Sequence, residues 1–87
     1  VLSISIKAIL KAETYNFDTL ATAISNNDLK TLKNAKLLKD LSKIKGKLNI
    51  NLLMYAAAED NPQIAQWLID NTKIILIIIK WNLFFSN

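Results

Sequence analysis

A chain that repeats itself at a fixed step has few folds open to it, because each unit buries its apolar side only against its neighbours. Here the segment DTLATAISNNDLKTL, residues 18–32, corresponds to NLLMYAAAEDNPQIA, residues 51–65, thirty-three positions further on. Leu20 falls on Leu53, Ala23 on Ala56, Ile24 on Ala57, Asp28 on Asn61 and Thr31 on Ile64. The same step carries Asn16 to Asn49 and then to Asn82, each followed by an apolar residue: Phe17, Ile50 and Leu83.

Each unit reads as a short helix, a tight turn and a second helix. Asn16 and Asn49 suit left-handed turn positions, and Asp18 and Asn51 are the expected N-caps of the helices that follow. Those short helices are expected over about residues 19–26 and 52–59, with small Ala residues that let a neighbour come close. Turns are expected at Asn26-Asn27 and Glu59-Asp60. The second helices start with caps of their own, Asp28 in the first unit and Asn61 in the second, where Pro62 takes the first helical position. Leu29, Leu32, Ala35, Leu38, Leu41 and Ile44 are read as one apolar stripe on a helix over residues 29–45, with Lys on its other face and Gly46 as its stop. The corresponding helix of the second unit carries Ile64, Trp67, Leu68 and Ile69 toward the core and ends near Asn71.

Residues 51–70, NLLMYAAAEDNPQIAQWLID, resemble an ankyrin repeat. Asn51-Leu52-Leu53-Met54-Tyr55-Ala56-Ala57 stands where that family has its Thr-Pro-Leu-His-x-Ala-Ala opening. Asp60-Asn61-Pro62-Gln63-Ile64-Ala65 stands at its Gly-His turn and second helix start, and Trp67-Leu68-Ile69 at its Leu-rich helix end. Residues 18–35 are a degenerate second copy, and the 33-residue period is the family's own. The departures are specific. Asn27 and Asp60 replace the family's Gly, and its Gly-Ala-Asp-Val-Asn stretch is missing from both copies. Lys-rich residues 36–47 and Ile-rich residues 73–80 stand in its place. The resemblance implies an all-α fold of stacked helix-turn-helix repeats, a fragment of an ankyrin-like solenoid. It also implies a function in binding another protein through the short helices and turns. The matched exposed positions are Thr22, Ser25 and Asn26 in the first unit and Tyr55, Ala58 and Glu59 in the second, with Tyr55 the best single anchor.

The 87 residues allow one domain. Residues 1–15 are expected as an N-terminal helix (about 2–13) or the remnant of a preceding repeat. Residues 16–48 and 49–81 are the two repeats, and 82–87 the truncated start of a third. Opening on Val, and with apolar ends on only about two units, the chain is expected to be cut from a longer array, or decayed, or to cover its ends by self-association. A further expectation is that it does no more than continue a larger scaffold. No basic leader precedes apolar residues 1–13 and no small-residue cleavage site follows them, so a cytoplasmic, intracellular setting is expected.

The apolar run at 74–85, IILIIIKWNLFF, is twelve residues long and contains Lys80. That falls short of the roughly 20 apolar residues a membrane-spanning helix needs, and helix and strand both stay open for it. The 11 cationic residues are all Lys, against seven acids, for a net charge of +4. Seven of those Lys lie between Lys30 and Lys47. Without interleaved Arg or aromatic residues the cluster reads as a solvated helix face, and no specific nucleic acid is expected. An alternative function is a peripheral membrane-binding module made from the Lys-rich helix 29–45 and the Ile-rich tail.

Catalytic arrangements are missing from the sequence. There is no His, Cys or Arg, so the usual neutral-pH base, the thiolate and the bidentate phosphate fork are absent. The single Gly rules out a phosphate-cradling loop. Glu59 and Asp60 are adjacent but fall in a turn, and two helix pairs do not enclose a pocket for paired carboxylates. No enzyme activity, metal or cofactor is therefore expected.

Overall fold

The computed structural model describes the backbone of residues 13–85 and the side-chain environments of residues 13–80. Nearly all of the helix expected over 2–13, and the last residues of the expected third unit, lie outside this range. The described residues form five α-helices: α1 (Phe17–Ser25), α2 (Leu29–Lys36), α3 (Leu52–Ala58), α4 (Pro62–Asn71) and α5 (Ile74–Phe85). Two 3-10 turns, Leu41–Lys43 and Lys47–Asn49, lie between α2 and α3. No strand occurs among the described residues. One isolated antiparallel bridge, Lys45 to Asn51, closes the loop ahead of α3 together with the Gly46 N–H donating to the Ile50 carbonyl at 2.8 Å.

The caps explain where the helices begin. Asn16, not Asp18, caps α1: its side chain accepts from the Thr19 N–H at 3.0 Å, and Thr19 Oγ1 accepts from the Asn16 N–H at 3.0 Å. This reciprocal box satisfies two donors that a helix start leaves unpaired. Asp18 sits inside the first turn, where a negative charge suits the helix dipole. Asn16 has ordinary extended backbone (φ −101°) rather than the left-handed conformation expected of it, whereas Asn49 does adopt that conformation (φ 59°). Asp28 caps α2 through Thr31, Asn51 caps α3 through Met54, and Asn61 caps α4 through Ile64 ahead of Pro62.

The two turns inside the helical hairpins are built alike. Asn26 and Glu59 take φ −90°, ψ 4° and φ −83°, ψ 3°. Asn27 and Asp60 follow in the left-handed region at φ 55° and 53°. The Asp28 N–H donates to Ala23 O at 2.7 Å, and the Asn61 N–H to Ala56 O at 2.9 Å. Asn and Asp are the non-glycine residues that enter this region at least cost. That is why they can stand where a Gly was the residue to expect.

The long helix over 29–45 does not exist: α2 stops at Lys36. The reason lies in the spacing that suggested it. A step of three residues turns about 300° on an α-helix, so a sustained three-residue step drifts about 60° each time and winds round the rod instead of marking one face. Leu32 and Ala35 are buried, whereas Leu38, the next residue of that step, is 37% exposed. Leu41 rejoins the core only because the chain has left the helix. Asp40 fixes that departure, accepting from the Ser42 N–H at 3.1 Å and the Ser42 hydroxyl at 2.6 Å to start the 3-10 turn. Gly46 is consequently not a helix stop. It lies against Phe17, where a Cβ would come within 2.6 Å of the ring.

One core joins all five helices. Leu20 and Ile24 of α1, Leu32 and Ala35 of α2, Leu52 and Ala56 of α3, Ile64 and Leu68 of α4, and Ile74 of α5 belong to a single buried cluster. Each large aliphatic side chain so buried contributes roughly 1.5–3 kcal/mol. Buried Ala23 and Ala56 let α1 and α3 pack directly on one another. Trp67 packs at the edge of this cluster, half-buried. The Ile-rich run is helical, and α5 passes through the unit boundary expected at residues 81–82 without a break. No helix among the described residues is long and apolar enough to cross a membrane.

Candidate functional site

The short helices α1 and α3 pack together, and their C-terminal ends meet. Asn61 holds the junction: while its Oδ1 caps α4, its Nδ2 donates to the Ile24 carbonyl and to Asn27 Oδ1, both at 3.2 Å. The turn of one hairpin is thus hydrogen-bonded to the turn of the other.

Three of the six expected binding residues converge on that junction. Ser25 Oγ donates to Glu59 Oε1 at 2.8 Å and lies 3.0 Å from the Tyr55 hydroxyl. Hydrogen bonds from Tyr55 first, and from Ser25 second, hold the Glu59 carboxyl below its ordinary range against a small opposing effect of burial. Glu59 and Ser25 are both exposed, so the cluster is a polar clasp across the surface between the two helices. Tyr55 is half-buried and meets the Phe17 ring edge-on, centroids 5.8 Å apart and planes at 84°. An anchor expected to stand free is therefore held by the core on one side and by the clasp at its tip.

The remaining three residues sit on the same side of the hairpins without joining the clasp. Thr22 is exposed and its hydroxyl donates to the Asp18 carbonyl one turn back at 3.0 Å. Asn26 is the exposed C-cap of α1, its N–H shared between the Ile24 and Thr22 carbonyls. Ala58 is exposed at the last position of α3. Together the six form a shallow surface with an exposed carboxylate, a hydroxyl rim and an aromatic edge.

Sequence reasoning missed Asn61 and Phe17. The sequence pattern marks Asn61 as a cap, but an Asn amide has a donor left over once its oxygen is used. Phe17 stands in the sequence only as an apolar residue after Asn16, with no local sign of its contact with Tyr55. Among the described residues no cluster of acidic groups is arranged to hold a metal ion. Comparison of the chain with models of known families, with curated proteins and with solved structures finds no match.

Proposed function

We propose that the chain is a pair of ankyrin-like repeats serving as a protein-binding scaffold, not an enzyme, and that Thr22, Ser25, Asn26, Tyr55, Ala58 and Glu59 form its partner-binding face. The observation that carries this reading is the identity of the two hairpin turns at a 33-residue separation, each with a left-handed polar residue, Asn27 and Asp60. Direct packing of α1 on α3 supports it, because stacked repeats bring equivalent short helices side by side. The face then offers preformed backbone and a rigid aromatic edge, which lowers the ordering cost of binding.

A photo-crosslinking residue placed in turn at Thr22, Ala58 and Gln66 tests the reading. Gln66 lies on the exposed side of α4 and bonds only to Asp70. Protein adducts of one size formed from positions 22 and 58, and not from 66, are expected. Adducts from all three alike, or from none, would count against a binding face on the short helices.

A further inference from the structure

Lys36, Lys39 and Lys43, which a continuous helix over 29–45 would have spread along its outer side, meet Lys73 and Lys80 at a cleft in the actual fold. Residues 36–43 leave the end of α2, and Thr72 and Lys73 join α4 to α5. The two segments face each other across a pair of adjoining cavities of about 250 and 310 Å³. Lys36 and Lys39 line the first, Lys43 and Lys80 the second, and Lys73 and Asp40 line both. Leu41 borders the first, while Leu76 and Ile77 give the second an apolar wall. Because α2 and α4 begin at the hairpin turns, this cleft lies at the opposite ends of those helices from the Ser25–Tyr55–Glu59 clasp.

Five lysines share this space with one carboxylate, and the fold accounts for only part of them. Lys36 lies in the last turn of α2, where a cation suits the dipole. Lys39 Nζ donates to the Tyr15 carbonyl at 3.0 Å. Lys43 ends the short 3-10 turn Leu41–Lys43, and Lys43, Lys73 and Lys80 are all exposed. Asp40 is the sole acid of the seven in the chain to line either cavity. Its Oδ1 accepts from both the N–H and the hydroxyl of Ser42, which holds its carboxyl below the ordinary range ahead of the charges of Lys43 and Lys73. Like charges gathered in a cleft repel, and the low-dielectric walls focus their field on an incoming anion. Lysine binds phosphate as a point charge and needs no guanidinium fork.

We propose that this cleft binds a ligand bearing several phosphate groups, one set of charges over each cavity, with any apolar part of the ligand lying on Leu76 and Ile77. Lys73 lines both cavities while the other four lysines divide two and two between them, so a polyphosphate chain or a multiply phosphorylated lipid headgroup engages more of these charges than a single phosphate does. The inference does not depend on the repeat reading.

Sodium tripolyphosphate titrated into the whole chain in a calorimeter at low salt is the first probe. The second is co-sedimentation with phosphatidylcholine vesicles, with and without a phosphatidylinositol bisphosphate. Saturable binding of either probe is expected, weakened about tenfold or more in Lys43→Gln/Lys73→Gln. Lys30→Gln/Lys47→Gln removes the same charge from residues that line neither cavity and should change affinity by less than about twofold. All four lysines are exposed, so helix content should be unchanged. Asp40→Asn keeps an oxygen for Ser42 while removing the cleft's negative charge, and should tighten binding. Tripolyphosphate binding points to a soluble ligand, and binding to the bisphosphate vesicles alone points to a lipid headgroup. Equal weakening by both double variants, or no binding of either probe, overturns the proposal.

Discussion

Leu48 and Asn49 follow one another in the left-handed region, at φ 61° and 59°. Asn tolerates this conformation, but for Leu the Cβ crowds the following carbonyl at roughly 1–2 kcal/mol. Leu48 is 90% exposed, so its side chain offsets little of that strain by packing. Leu48→Asn is therefore expected to stabilise the chain by about 0.5–1 kcal/mol. A urea midpoint unchanged or lowered in the variant would show that the strain is not stored there. At the clasp the expectation concerns protons. The Glu59 carboxyl is lowered below its ordinary 4.5 by hydrogen bonds to its ionised form. Its contribution to stability is then present above that ordinary value and is lost as pH falls through the lowered one. A carbon-detected NMR titration should place Glu59 below 4.5. Tyr55→Phe should raise the midpoint more than Ser25→Ala does, because the tyrosine hydroxyl is the stronger influence. A larger effect of Ser25→Ala would reverse that ranking. The sequence carried the positions of Ser25, Tyr55 and Glu59 through the 33-residue correspondence, but not their mutual bonding. Side chains thirty or more residues apart meet through packing, and no local pattern records it.

Helix starts were more legible than helix ends. Asp28, Asn51 and Asn61 declare themselves as caps because a short polar acceptor precedes an apolar run, and Pro62 fixes the frame. The start of α1 was placed at Asp18, since Asp and Asn cap equally well; Thr19, three residues after Asn16, is the mark that distinguishes them. The end of α2 carried no Gly or Pro, and only the wrong period of the leucines betrayed it. Asn61 belongs to this scale because it serves two hairpins at once. Asn61→Asp keeps the oxygen that caps α4 but loses the amide donor to Ile24 and Asn27, whereas Asn61→Ala loses both. Loss of a simple cap costs about 1 kcal/mol. Asp28→Ala, which loses the cap and the Thr31 hydroxyl's bond to Asp28 but no bond between the turns, is expected near that value. Asn61→Ala should cost about 2 kcal/mol, with Asn61→Asp between the two. Equal losses for Asn61→Ala and Asp28→Ala in thermal melts would mean that the bonds between the turns contribute nothing. The loop before α3 offers a second test. Gly46→Ala forces the Phe17 ring to move and is expected to cost about 1–3 kcal/mol. With Phe17→Leu already present the cost of Gly46→Ala should shrink, because the two sites touch. Strict additivity would place the clash elsewhere.

In the whole molecule the helices are not held equally. α3 lies between α1 and α4 and buries Leu52, Leu53 and Ala56. α5 is fixed at its start by fully buried Ile74, then by the part-buried faces of Ile75 and Ile78, while Leu76 is 53% and Ile79 46% exposed. An element covered on one side opens with less free energy than one enclosed by neighbours. Native-state hydrogen exchange should therefore find the inner amides of α3 protected to the full unfolding free energy. Those of α5 beyond Leu76 should exchange through a cheaper, partial opening. Ile74→Ala sharpens the distinction, because removing a buried Ile costs about 2–5 kcal/mol. If α5 is a separable unit, that loss should appear as faster exchange within α5, with the protection of α3 lowered much less. If α3 loses as much protection as α5, the five helices unfold as one, and the exposed face of α5 has to be counted as part of a single cooperative core.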